Sequence, residues 1–548
     1  MELNTLFTSL LSFNLGVAIL IGVGAAFDLW SEKITRSIAA TTQIALLLMN
    51  AIIFSKSAST EQVIELGNLI HLDDFHFPIT LQATFWSGAW AILSSLLLMI
   101  IGRFSRDYLH RERGYHRFYF LMLLFQLGVN IVCWAGVINF TFLGWEITGL
   151  TSVLLIAFFW EKPSPLWHSL IALTHYRISD CGFLLAIVFL EHNPQLASLC
   201  LLFAAFGKSA QVPFTRWLPR AMEGPTPSSA IFYGALSIHT GPFIILKYLS
   251  LFESNPVNFQ IMIAVGLITL VYATWVGRVQ ASAKGVLAYS TLAQVGIIWT
   301  EIGLGFTNLA WIHLLANASL RTVQFLRAGA IIDDFRSARW LAPGEEFKGN
   351  QAFYEKVLPE ALRLRLYVAA QREFYLGEMI QFLIIKPFYF VIDLIRKIQS
   401  KTGGIEAFAL LGLSFFSQIE VQLCIWVYLL FSALAQDRTV FRIVVLVMAQ
   451  LNGGIILTGS MSYLHQGLCS LALMSIFFLK KLKPEIVMFF GLFAIGAPLY
   501  PTFLTTDLIF HTLEKAHSPY LIPIIAIIGL SEIVFYRIFV DEMIARQQ

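Results

Sequence analysis

LCLLFAAFGKSAQVPF, residues 199–214, is the stretch on which the reading of the fold turns. An apolar run of the kind that lines a bilayer helix leads into Lys208, and Pro213 follows five residues later. A proline inside a helix removes a backbone hydrogen bond and frees a carbonyl, which is tolerated at membrane depth only where protein or water covers it. The spacing predicts a transmembrane helix broken beside a cation. Working outward, apolar runs of about 20 residues, each long enough to cross a hydrocarbon layer about 30 Å thick, recur through the chain.

The totals agree with that local reading. Of 548 residues, 57% are apolar and 13% charged, with a mean hydropathy of +0.71; an ordinary soluble domain carries about 25% charged residues. Soluble, disordered and secreted disulfide-rich classes are excluded. The chain reads as an all-α, polytopic membrane protein in contact with the lipid bilayer. A net charge of +3 spread along the sequence argues against nucleic-acid binding, which needs a concentrated basic face. Cys133, Cys181, Cys200, Cys424 and Cys469 stand singly with no C-x-x-C spacing, so no metal centre is expected. Gly22-Val-Gly24-Ala-Ala-Phe27 lies inside the first apolar run without a preceding strand and reads as helix packing rather than a dinucleotide loop. No cofactor is implied, and no redox or catalytic centre.

Spans are expected near residues 6–27, 38–55, 82–101, 117–137, 138–160, 166–190, 196–213, 226–250, 257–280, 285–305 and 307–332, and again near 412–435, 440–459, 463–480, 485–505 and 520–540. The first run follows Glu2 with no basic residue, so it reads as a span and not a cleaved signal. Lys and Arg cluster in alternate loops, which places the N-terminus outside and the loop after residue 332 in the cytoplasm. Residues 378–397 could lie on the membrane surface or cross it. Crossing would keep Lys480, Lys481 and Lys483 inside and bring the total to about 17, within an expected 15–17. The organisation expected is N-terminal helices (1–101), a first repeat with its break at 207–213 (102–250), the first part of a second repeat (251–332), a polar and amphipathic insertion (333–405), additional helices (406–484) and a second broken helix with a final span (485–548).

An ionisable residue inside a span is costly, so each is either paired for structure or kept for transport. Lys208, beside the break, can sit in a hydrated cavity and accept or release a proton; the plain alternative is an amine that reaches the interface. Glu146, in FTFLGWEITGLTSVLLIAFFW (residues 140–160), supplies a carboxylate. If its distance from Lys208 can change, the two form a proton switch, and if not, a fixed pair holding two helices. Arg177 and Asp180 are three apart on one helix face and read as a local pair with a secondary, modulating effect. His313 and His239 are candidate relays, or merely hydrogen-bonded core histidines. Glu301 and Glu532 are also in apolar surroundings.

GKSAQVPFTRWLPRAMEGPTPSSA (207–230), FLGWE (142–146) and KGVLAYSTLAQVG (284–296) resemble the antiporter-like subunit family of respiratory complex I, chain 5 (chain L) of NADH-quinone oxidoreductase in particular. That family is shared with cation/proton antiporter subunits and with DabB, the membrane subunit of inorganic-carbon accumulating complexes. The resemblance covers roughly residues 100–332 strongly and 490–540 weakly. It implies two inverted five-helix repeats, each with a broken helix, in a bacterial cytoplasmic (inner) membrane. It also implies that Glu146 is the acid of the fifth family helix, Lys208 the proton-carrying lysine of the broken seventh, and Arg177 and Asp180 the R-x-x-D of the sixth. His313 matches the first histidine of the eleventh helix. Arg321 falls where the family usually has a central lysine. Pro498 and Pro501, ahead of Thr506-Asp507, resemble the second break.

Departures qualify this. Tyr233 replaces the eighth-helix histidine, with His239 six residues on; Asn317 replaces the second eleventh-helix histidine; Thr506 stands where a lysine is expected. Arginine stays charged and shapes a field without passing a proton on, so Arg321 joins Arg177 and Asp180 as a modulating charge. Phe374 to Phe388 resembles a segment found near the C-terminus of chain 5, which favours a divergent relative serving another complex. The expected function is proton transport as a subunit whose coupling chemistry is supplied by partners. Those partners would be further subunits of a complex-I-like translocase, or a soluble DabA-type zinc protein in inorganic carbon transport. A non-conducting scaffold and a sodium/proton exchanger are the other readings.

Overall fold

The computed structural model describes residues 3–57, 62–72, 75–328, 359–380, 386–402, 419–435 and 521–545, except positions 28 and 254, with 382 and 410 described singly. Among these residues eight helices are long and apolar enough to cross a membrane. They include α1 (Leu3–Ala26), α2 (Glu32–Ser57), α3 (Phe85–Tyr108), α4 (Tyr115–Trp134), α5 (Ile138–Ile156) and α6 (Pro163–Phe189), followed by the shorter α7 (Pro194–Lys208). The fold is polytopic and, among the described residues, all-α apart from one hairpin. The expected spans near 440–459, 463–480 and 485–505, with Pro498 and Pro501, lie outside the described residues.

α4 and α5 form the centre and are buried almost all round, as the absence of a polar face in their sequences requires. They meet through glycines: a Cβ built on Gly144 would stand 2.7 Å from the Gly128 carbonyl oxygen, so the backbones approach as only small residues permit. Gly266 and Gly296 repeat the device between helices Pro256–Arg278 and Ala283–Gly303, where a Cβ on Gly266 would lie 2.5 Å from the Gly296 carbonyl. Polar contacts join α2, α3 and α4, with Asn50 donating to Ser95 Oγ at 2.9 Å and to Asn130 at 3.2 Å, and Trp134 donating to Asn50 at 2.9 Å.

The hairpin was not legible as such. β1 (Gln62–Leu72) and β2 (Phe75–Ala83) pair antiparallel, from Gln62 opposite Ala83 to Leu72 opposite Phe75. Its alternation is interrupted by register shifts near Gly67 and Asn68 and so reads as a loop between spans. The Gly136 amide donates to the Thr80 carbonyl at 2.6 Å, tying the hairpin to the connection between α4 and α5.

The expected break is present. α7 ends at Lys208, Ala210 takes a left-handed φ of 54°, and a single 3-10 turn, Phe214–Arg216, follows. Protein covers the freed groups: the Trp217 indole donates to the Gly207 carbonyl at 3.1 Å, and the Val212 amide to Thr269 Oγ1 at 3.1 Å. The helix after it is also irregular, with a π-helical stretch, Ala230–Ala235, running into a 3-10 turn, Ser237–His239. Within the expected insertion, helices Glu360–Gln371 and Lys386–Thr402 are described. The second packs Ile392 and Ile395 against Tyr428 and Phe431 of helix Ile419–Ala435.

Candidate functional site

Lys208 is fully buried. Its Nζ donates to the Trp145 carbonyl oxygen at 3.0 Å and lies 4.7 Å from the ring centroids of both Trp145 and Tyr176, so two aromatic faces and one carbonyl take up its charge. Among the described residues no carboxylate lies within ion-pair distance of it.

Gly149 is what admits the amine. On α5 the Trp145 carbonyl that accepts from Lys208 also accepts from Thr148 Oγ1, at 2.8 Å. A Cβ on Gly149 would stand 2.7 Å from Lys208 Nζ, so a side chain there would push the amine from its present seat. Gly149 was not singled out from sequence; its place four residues after Trp145 is the signal.

Glu146, next in sequence to Trp145, turns to α6 instead. Its Oε2 accepts from Arg177, and its Oε1 is buried with no hydrogen-bond partner among the described residues. Arg177 also lies 3.5 Å from Asp180 Oδ2 and donates to Glu532 Oε2 at 3.0 Å. The local Arg177 and Asp180 pair expected from spacing is therefore one edge of a larger cluster in which a single guanidinium serves three carboxylates. Asp180 is tied back towards the lysine, because its Oδ1 accepts from the Trp145 indole at 2.6 Å. Trp145 thus holds Lys208 through its carbonyl and Asp180 through its ring.

The histidines stand apart from this centre. His239 Nε2 and Asn317 Nδ2 are 3.0 Å apart, and Asn317 Oδ1 accepts from Arg321 Nε at 3.3 Å. Arg321 spends its remaining fork on Gln324 and on the Ser290 carbonyl, at 2.7 and 3.1 Å. His313 is fixed on one side by Glu301, with Nδ1 at 3.0 Å, and on the other by Gln294 at 3.0 Å. No hydrogen bond or ion pair among the described residues joins Lys208 to either histidine. Glu532, on helix Leu521–Ala545 packed against α6, was noted from sequence but not placed at the site.

Among the described residues no group of three or more His, Cys, Asp or Glu is placed to hold a metal ion. The site therefore combines a buried amine, an acid next in sequence to the amine's carbonyl acceptor, and an arginine shared by three carboxylates.

Residues 136–345 match the family described as NADH:quinone oxidoreductase/Mrp antiporter, TM. The NADH-ubiquinone oxidoreductase chain 5 of Pongo pygmaeus is 30% identical over 323 residues, which is 56% of this chain and 52% of that protein. The chain thus spans about half the length of that relative. In fold it is similar to the Mrp complex from Dietzia sp. DQ12-45-1b, with a TM-score of 0.52 and 18% identity over 93% of this chain and 56% of that one. It is also similar to the membrane-bound sulfane sulfur reductase, an archaeal respiratory membrane complex, with a TM-score of 0.50 and 16% identity over 99% of each.

Proposed function

Because this chain is an antiporter-like membrane protein related to NADH:quinone oxidoreductase chain 5 and Mrp subunits, we propose that it is the proton-translocating subunit of a multi-subunit membrane complex, with Lys208 and Glu146 as its titrating centre. The observation that carries this reading is the Lys208 amine, sealed from solvent at a helix break and held by one carbonyl. A permanent cation in that place would call for a paired carboxylate. An amine with one hydrogen bond and two ring faces can give up its proton without stranding a partner charge.

Arg177 sets the state of the acid. While its guanidinium holds Glu146, that carboxylate is engaged on α6; when the guanidinium shifts towards Glu532, Glu146 is released on the helix that already carries the lysine's acceptor. Charge movement on the lysine and movement of the arginine are then two sides of one step, linked through the Trp145 indole and Asp180. The likeness in fold to multi-subunit membrane complexes supports a partner-driven role, with the energy supplied outside this chain.

The test is proton uptake by the purified complex in liposomes, comparing the natural chain with Lys208→Ala. Uptake lost with assembly intact supports the proposal. Unchanged uptake with intact assembly sinks it, and uptake that follows sodium instead of the pH gradient points to an exchanger.

A further inference from the structure

We infer that the turn Glu373–Tyr375 is a strap that closes the mouth of the broken helix and limits how fast protons reach Lys208. The limit on transport rests on the reading of Lys208 as a proton carrier.

The turn is held in a conformation its residues do not favour. It follows helix Glu360–Gln371, which packs against helix Pro256–Arg278, and its three residues take left-handed φ values of 51°, 51° and 59°. None of the three is glycine, so a Cβ crowds the backbone at every step. Such a turn persists only where its surroundings hold it, and strained backbone of this kind gathers at switch segments.

The holding contacts converge on the broken helix and its neighbours. Glu373 Oε1 accepts from Tyr289 Oη at 3.2 Å and pairs with Arg220 at 3.7 Å. Phe374 meets the Tyr272 ring with centroids 6.1 Å apart, and Gly377 lies over the Arg216 guanidinium, where a Cβ would stand 3.4 Å from Cζ. Arg216 and Arg220 end the two short turns that follow the break, Phe214–Arg216 and Trp217–Arg220, and Arg220 donates to the Arg216 carbonyl at 2.7 Å.

Under this cover the chain from Lys208 to Arg220 carries polar atoms left unsatisfied. Gln211 and Thr215 are fully buried, yet Gln211 Oε1, Thr215 Oγ1 and Arg216 Nε have no hydrogen-bond partner among the described residues. Entering water would satisfy such atoms. The tie above them is slight, one long ion pair and one hydrogen bond, and Glu373 and Arg220 keep 21% and 24% of their side-chain exposure. Its release opens a wet route along the break, by which a hydrated proton reaches the amine, one O–H bond breaking as one N–H bond forms on Lys208.

The experiment uses the assembled complex in liposomes and measures two rates, labelling of Thr215→Cys by a membrane-impermeant maleimide and, with Thr215 natural, proton uptake. Each is compared for natural Glu373, Glu373→Ala and Tyr289→Phe, with the natural chain giving the background of its own cysteines. Losing a hydrogen bond to a charged group should raise the open population, and labelling with it, about 10-fold in Glu373→Ala. Uptake should also be faster than in the natural chain, with assembly intact, and Tyr289→Phe should move both rates the same way by less. Labelling unchanged by Glu373→Ala overturns the inference, and so does faster labelling with uptake unchanged or slower, which would make the tie structural only. Were Lys208→Ala to keep full uptake while Glu373→Ala still sped labelling, the transport reading would fall and the closure of the mouth would stand.

Discussion

The Lys208 ammonium nitrogen donates to the Trp145 carbonyl 3.0 Å away, while the carboxylate of the adjoining Glu146 is claimed by Arg177. The lysine's acceptor and the acid are thus adjacent residues of α5, yet the amine and the carboxylate are bound to different partners. That separation is the property from which the consequences below follow.

Gly149→Ala places a methyl group where Lys208 Nζ now lies, with a contact of 2.7 Å that only displacement of the amine relieves. Proton uptake is expected to fall about 100-fold, since a misplacement of about 1 Å is enough for such a loss. Assembly is expected to persist, and uptake per assembled complex is the measurement. Uptake at the natural rate would show that the lysine's seat on α5 does not matter.

Arg177→Gln leaves three buried carboxylates without their shared cation. Breaking such a cluster costs about 3–5 kcal/mol, so the thermal midpoint of the detergent-solubilised complex should drop. Adding Glu146→Gln removes one of the stranded charges and should recover part of the loss, because contacting sites are not additive. A double variant less stable than the single one would contradict the charge accounting.

Trp145→Phe keeps the ring beneath Lys208 and the carbonyl it binds, and removes only the indole donor to Asp180. A buried acceptor losing its donor costs about 1–3 kcal/mol. Expected is a lower thermal midpoint together with slower uptake; a lower midpoint with normal uptake would mean that the indole is only structural.

Gly144→Leu drives a side chain into the Gly128 backbone, where the present approach leaves 2.7 Å for a Cβ. Overpacking of this kind costs about 1–3 kcal/mol, and the two backbones leave little room to relax. The expected outcome is poor recovery of folded protein by size-exclusion chromatography, with the smaller Gly144→Ala less affected.

Arg321→Lys cannot reproduce a planar fork that reaches Asn317, Gln324 and the Ser290 carbonyl together. Expected is a stability loss of about 1 kcal/mol with proton uptake close to that of the natural chain. A large change in uptake would give the His239, Asn317 and Arg321 string a transport role.

Much of this was open to view in one dimension. Apolar runs of spanning length, the amine ahead of Pro213 and the acid in FLGWE depend only on composition and spacing along single helices, which the bilayer makes stringent because it offers no hydrogen bonds. The hairpin was hidden because its alternation is irregular and its polar residues resemble a loop. Pairings across helices were hidden for a different reason: spacing along the chain names which residues share a face, not which face another helix presents.

The sequence by itself determined a many-helix membrane protein with a break at Lys208 and ionisable groups too costly to be incidental. Only the tertiary structure decided that Glu146 binds Arg177 while Lys208 rests on the Trp145 carbonyl, that Gly149 leaves room for the amine, and that Glu532 reaches the same guanidinium from a distant helix. A buried charge takes its partner from whichever element packs against it, and that choice is made by close packing in three dimensions.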